Sequence, residues 1–197
     1  LRVNTAVFQA SYDDIQINVQ TNPNDPTLTD VLNAGKALID GLELDVTALL
    51  GEALTVTASY GYLDADYVEI VDELGRDLTH EFRFVNAPRH SANLGLDYTL
   101  TAIRFADARL SLDYAWQSDK NESSNISDGH YTIESYGLWN ARLSFSDMAV
   151  LGGGLDAALW VRNITDEEYY VSHFNALFPS AIFGDARTWG IDLNYRF

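Results

Sequence analysis

A chain of 197 residues is long enough for one sizeable domain, and 47% hydrophobic residues would suit an ordinary globular core, so size and composition leave many classes open. The formal net charge of -17 argues against nucleic-acid binding, because no basic stripe is present to neutralise phosphates. The absence of Cys removes disulfide scaffolds, thiolate zinc sites and thiol catalysis together.

The chain opens on Leu1-Arg2-Val3-Asn4, without an initiator Met or a basic segment leading into an apolar one, so a fragment or a processed chain is expected. No apolar run reaches the ~18 residues of a transmembrane helix. A transmembrane strand needs only about 9–11 residues, with every second one apolar, and that pattern is what the chain repeats.

In chain order, Phe8, Ala10 and Tyr12 share one face, and Asp13-Asp14 reads as a tight turn before Ile15, Ile17 and Val19. After a long link at about 21–33, Leu42, Leu44, Val46 and Ala48 alternate with Glu43, Asp45 and Thr47. A short link at Gly51-Glu52 leads to Leu54, Val56, Ala58, Tyr60 and Tyr62, set against Thr55, Thr57, Ser59 and Gly61. Beyond a long link at about 68–84, His90, Ala92, Leu94, Leu96 and Tyr98 alternate with Ser91, Asn93, Gly95 and Asp97. A short link near 100–107 precedes Leu110, Leu112, Tyr114 and Trp116, and a long one at about 119–132 precedes Trp139, Ala141, Leu143 and Phe145. Residues 147–153, with Gly152-Gly153-Gly154, turn the chain into Leu155, Ala157, Leu159 and Val161. A last long link at about 170–184 leads to Arg187, Trp189, Ile191, Leu193, Tyr195 and Phe197.

The sum is about nine strands in an all-β, antiparallel meander, joined by links that alternate short and long. Tight turns at one end and long loops at the other are the asymmetry of outer-membrane barrels, with the long loops extracellular. Tyr12, Tyr60, Tyr62, Tyr98, Tyr114, Trp116, Trp139, Tyr195 and Phe197 are expected outward, as aromatic girdles. The opposite face carries Glu43, Asp97, Asp113, Arg142, Asp156, Arg162, Asp192 and Arg196, which suit a wet lumen. An odd count conflicts with the even numbers of single-chain bacterial barrels, so strands are expected to be missing on the N-terminal side.

Val161-Arg162-Asn163-Ile164-Thr165-Asp166-Glu167-Glu168-Tyr169, Gly184-Asp185-Ala186-Arg187-Thr188-Trp189 and Tyr195-Arg196-Phe197 follow one another at the C-terminal end, after Asn33-Ala34-Gly35-Lys36 through Gly41-Leu42-Glu43-Leu44 and Asn86-Ala87-Pro88-Arg89-His90. Together these segments resemble the TonB-dependent receptor family of Gram-negative outer membranes. The first is similar to its penultimate-strand motif, with Ile164-Thr165 where Leu-Phe is common, the second to the lead into its last strand, the third to its terminal aromatic, and the two earlier ones to strand starts. The resemblance implies that residues 1–197 are the C-terminal part of a larger barrel of the roughly 22-stranded type, without its N-terminal plug and earlier strands. It implies uptake of a scarce nutrient, a ferric siderophore or else a vitamin or glycan, in the outer membrane, with energy coupled through TonB by way of the missing N-terminal region. Expected partners are outer-membrane lipid and lipopolysaccharide, the metal-chelate or other small-molecule substrate, and the barrel-assembly machinery. The last would read Trp189, Ile191, Leu193, Tyr195 and Phe197.

Asn163, Asp166, Tyr169 and Arg187 are read as a structural motif where strands leave the membrane, since Asn and Asp turns and an interfacial Tyr explain them. The candidate ligand-contacting loop residues are Arg83, Asp128, His130, Tyr131, His173 and Phe174. His80, His90, His130 and His173 lack HxH or HExxH spacing, and for the three that fall in expected long loops, His80, His130 and His173, solvated imidazoles are a better explanation than metal ligands. Glu43 with Asp45, and Asp64 with Asp66, share a strand face without forming an acid/base pair, and the acidic run from Asp64 to Glu81 reads as a solvated loop. No catalytic residue, cofactor or metal is expected. The rival readings are a complete small outer-membrane barrel, structural or esterase-like, and a secreted soluble β-sandwich binding module.

Overall fold

The computed structural model describes residues 1–20, 29–71, 75–100, 103, 105–124, 132–175 and 178–197. An antiparallel sheet of eight strands carries the fold, in the order β1 (Arg2–Gln20), β2 (Thr29–Leu50), β3 (Leu54–Ile70), β4 (His90–Leu100), β5 (Asp107–Gln117), β8 (Tyr136–Val150), β9 (Gly153–Arg162) and β12 (Thr188–Arg196). Two small hairpins stand outside it, β6 (Lys120–Asn121) with β7 (Thr132–Ile133), and β10 (Tyr170–Asn175) with β11 (Pro179–Phe183). Both lie in expected long loops. The all-β meander is as expected, and the short and long links keep strict alternation from β1 to β12.

The expected turn at Asp13-Asp14 is a β-bulge inside one continuous strand. The pairing of β1 with β2 slips between Tyr12 and Ile15, and Asp14 takes the left-handed conformation at φ 57°. An Asp that tolerates positive φ can close a turn or absorb an extra residue, and here β2 runs on as a partner through Ala37 and Gly35. The large sheet therefore has eight strands where about nine were expected. An even count removes parity as a reason to expect missing strands.

Register also corrects one face. Val7 pairs with Leu42 and Leu42 with Tyr62 on the apolar side, whereas Phe8 pairs with Gly41 and Tyr12 with Ala37, on the side of Glu43 and Asp45. Tyr12 is thus on the polar face and not in an outward girdle. The other face assignments stand: Tyr60 opposes Ala92, Ala92 opposes Trp116, and Tyr114 opposes Trp139 and stacks on it at 4.4 Å.

The apolar face is not covered. Trp189 is 76% exposed and Leu193 70%, with Val7, Ile191 and Leu159 also open. The small buried cluster of Ile17, Ile70 and Phe82 sits at the long-link end, against Ile15, Tyr67 and Leu78, and not between two layers. A soluble sandwich would place this apolar surface inside; a wall facing lipid leaves it open. Concavities instead lie along the polar face, one lined by Asp45, Thr47, Thr57, Ser59 and Asn93. The polar face is therefore the lumen side.

Candidate functional site

Where β5, β8, β9 and β12 meet the long loops, side chains of the wall and of the loop bases are hydrogen-bonded to one another. Asn163 follows β9 directly, at φ 51°, and is only 4% exposed. Its Oδ1 accepts from the backbone N–H of Glu167 (2.8 Å), while its Nδ2 donates to the carbonyls of Glu167 (2.9 Å) and Asp185 (3.1 Å). Its own N–H donates to Oδ1 of Asn140 (3.0 Å), on β8. Asp166, also left-handed, accepts at Oδ1 from the N–H of Arg187 (2.9 Å), and the Arg187 guanidinium returns to the carbonyl of Ile164 (3.2 Å). The Tyr169 ring packs at a tilt against Tyr136, with centroids 4.4 Å apart, and fills the space that a Cβ at Gly184 would need. Asn163, Asp166, Tyr169 and Arg187 thus form one clasp that joins the two ends of the loop between β9 and β12.

Above the clasp, three long loops are tied together. Arg83 donates from its backbone to Ser124 (2.8 Å) and from its guanidinium to Asn121 (3.0 Å), and the N–H of Asn86 donates to the carbonyl of Asn121 (2.8 Å). Ser172 on β10 donates to Glu122 (2.8 Å). Asp77 folds its own loop by accepting from both the hydroxyl (2.6 Å) and the N–H (2.9 Å) of Thr79, and these bonds hold its carboxyl below the usual carboxylate range.

Of the candidate contact residues, Arg83 is engaged in tying loops together, and His173 packs edge-on against Tyr170 at 4.7 Å. Phe174 pairs through its backbone with Ser180. Asp128, His130 and Tyr131 lie outside the described residues. Trp189, Ile191, Leu193 and Tyr195 occupy the apolar face of β12, and Phe197 follows it.

Sequence reasoning missed Asn140 and Trp160. Asn140 donates to Asp113 (2.6 Å) while accepting from Asn163, so it links the lumen wall to the clasp. Trp160 donates to Asp192 (3.2 Å) and lies over Gly190, where any Cβ would collide with its ring. Both roles depend on cross-strand register, which alternation alone does not contain. The polar face of a single strand was the available signal, and it named Arg142, Arg162, Asp113 and Asp192 correctly as lumen groups. Among the described residues no group of three or more His, Asp or Glu side chains is arranged to hold a metal ion.

The family model described as TonB dependent receptor-like, beta-barrel matches residues 1–164. The chain is 30% identical over 148 residues to the ferrichrome outer membrane transporter/phage receptor of Escherichia coli K12, covering 73% of this chain and 18% of that protein. It is 27% identical over 168 residues to the metal-pseudopaline receptor CntO of Pseudomonas aeruginosa, covering 82% and 21%. It therefore spans about a fifth of the length of these curated relatives. Among solved structures, the ferric yersiniabactin uptake receptor FyuA of Yersinia pestis superposes with a TM-score of 0.74 at 17% identity, covering 99% of this chain and 27% of that one. The siderophore receptor PiuA of Acinetobacter baumannii gives 0.69 at 16% identity, covering 97% and 25%. With an eight-stranded antiparallel sheet, an uncovered apolar face, concavities along its polar face and a clasped loop at its rim, the chain belongs to the TonB-dependent receptor β-barrel family of the Gram-negative outer membrane.

Proposed function

We propose that the intact protein takes up a scarce metal chelate, a ferric siderophore first among the candidates, across the outer membrane with energy coupled through TonB. This chain supplies a stretch of lipid-facing wall, the lumen surface behind it and a set of extracellular loops. The reading is carried by one observation: the polar wall ends at a rim where three long loops are hydrogen-bonded to one another and the third is clasped at its base. A rigid rim over a wet, charged wall suits capture of a soluble ligand before passage. The relatives named for ferrichrome and for metal-pseudopaline support a chelate over a glycan or vitamin.

In this reading the remainder of the polypeptide completes the barrel, plugs it and reaches TonB. The apolar face meets lipid and, at the loop end, lipopolysaccharide. The apolar side chains of β12 with Phe197 are what the assembly machinery reads. Radioiron uptake in a strain lacking the gene, with and without the full-length gene restored, tests the reading. Restored, TonB-dependent uptake of one chelate is the expected result, and equal uptake of every chelate in both strains would overturn it.

A further inference from the structure

Basic side chains are scarce here, 12 against 29 acidic ones. Register nevertheless puts Arg109, Arg142, Arg162 and Arg196 on the polar face of the adjoining strands β5, β8, β9 and β12. Arg142 is paired with Asp192 at 2.7 Å, and Arg196 with Asp147 and Asp156 at 2.9 and 3.1 Å. Arg109 and Arg162 have no carboxylate at ion-pair distance among the described residues, and Arg162 is distinguished by its seat, its guanidinium lying 5.3 Å over the Trp160 ring.

The surroundings are built to stay that way. Trp160 is pinned by its bond to Asp192 and by its seat on Gly190, so the platform under Arg162 is rigid. The two nearby carboxylates are engaged, Asp192 by Arg142 and Trp160, and Asp113 by Asn140. Asp113, Asn140, Arg142, Trp160, Arg162 and Asp192 line a concavity of about 350 Å³, a volume within the range of small-molecule sites. Arg162 precedes Asn163, so the concavity opens directly beneath the clasped rim.

We propose that this concavity is a subsite for an anionic ligand, a carboxylate-bearing metal chelate, which Arg162 receives through its unspent N–H donors while the Trp160 face excludes water from one side. A planar guanidinium held on an aromatic ring is already oriented for two parallel bonds to a carboxylate, and little freedom is lost when they form. The inference rests on the import reading and narrows it to the charge class of the cargo.

The test uses the full-length receptor in detergent and follows tryptophan fluorescence, with Trp160→Phe identifying the responding ring. Probes are citrate, ferric citrate and an uncharged ferric trihydroxamate. The expected result is a saturable, salt-weakened response to citrate and to ferric citrate. Arg162→Gln weakens it at least about tenfold, Arg162→Lys falls between, and any response to the trihydroxamate is the same in wild type and Arg162→Gln. No response to citrate in wild type, or equal binding by Arg162→Gln, overturns the inference. So does an Arg162→Gln protein that melts lower with citrate affinity unchanged, because the arginine would then serve another part of the same polypeptide. Loss of the import reading looks different: citrate binding would persist with its Arg162 dependence while no chelate is taken up.

Discussion

The backbone N–H of Asn163 donates to the side-chain Oδ1 of Asn140 across 3.0 Å, so the base of the last long loop hangs from the lumen wall. Asn163 then spends its own amide on Glu167 and Asp185, at the two ends of that loop. Substitution by Ala leaves the Glu167 N–H and the carbonyls of Glu167 and Asp185 without these partly buried bonds, and puts at φ 51° a residue that tolerates the left-handed region less well than Asn. A loss of ~2–3 kcal/mol in local stability is expected for Asn163→Ala. The half-exposed Arg187–Asp166 pair, at 3.4 Å, contributes only ~0–1 kcal/mol by comparison. Hydrogen exchange of the 163–187 loop in the intact receptor should therefore rise far more in Asn163→Ala than in Arg187→Gln. Equal protection in the two variants would remove Asn163 as the centre of the clasp.

Gly184 and Tyr169 are expected to be strongly coupled. Gly184 donates to the carbonyl of Tyr169 at 2.8 Å, and the Tyr169 ring takes the place of a side chain at 184. Gly184→Ala should expel the ring from its contact with Tyr136 and open the loop to protease. Tyr169→Leu in the same protein should recover part of the resistance, giving a coupling of ~0.5–3 kcal/mol in a double-mutant cycle. Additive effects would show that ring and glycine do not share the space.

How far the sequence speaks differs from residue to residue. From Leu54 to Tyr62 the face of every residue is legible, because one side must be apolar for lipid and the other polar for water. Asp13-Asp14 is not legible, since turn and bulge ask the same left-handed tolerance of Asp, and the partner strand that decides between them comes later in the chain. The outward expectation for Tyr12 failed for a related reason: both faces of β1 carry apolar groups, so only its register against β2 assigns them. The clasp residues were found through a resemblance, whereas Asn140 and Trp160 became visible only when β8, β9 and β12 were aligned. The β10–β11 hairpin was read as loop, because Tyr170-Val171-Ser172-His173 lacks strict alternation.

Leu193 lies near the middle of β12 on the exposed apolar face, opposite Ala157. A charge there would meet hydrocarbon, at a cost of ~2–4 kcal/mol near the bilayer midplane. Asn194 faces the lumen and opposes Asp156, so a cation there meets water and a carboxylate. Leu193→Arg should thus lower the amount of folded, heat-modifiable barrel in outer-membrane fractions, and Asn194→Arg should leave it nearly unchanged. The reverse order would exchange the lipid and lumen faces and with them the orientation of the whole wall.

Asp77 gives the loop between β3 and β4 a pH dependence with a definite sign. Its pKa is lowered below the ordinary 3.8, first by the Thr79 hydroxyl and then by the Thr79 N–H. A carboxylate whose folded pKa is depressed contributes stability that is fully present above its unfolded value and is lost as pH falls through the folded one. Thr79 passes the effect on, because its Oγ1 also accepts from the N–H of Ile70 at 2.9 Å, at the end of β3. Exchange of the Ile70 and Thr79 amides, corrected for intrinsic rates, should therefore be slow at pH 5 and speed up below about pH 4, as the carboxylate protonates. In Asp77→Asn that acid step should vanish and exchange at pH 5 should already be faster. An acid step that persists unchanged in Asp77→Asn would assign the dependence to another carboxylate of this acidic loop.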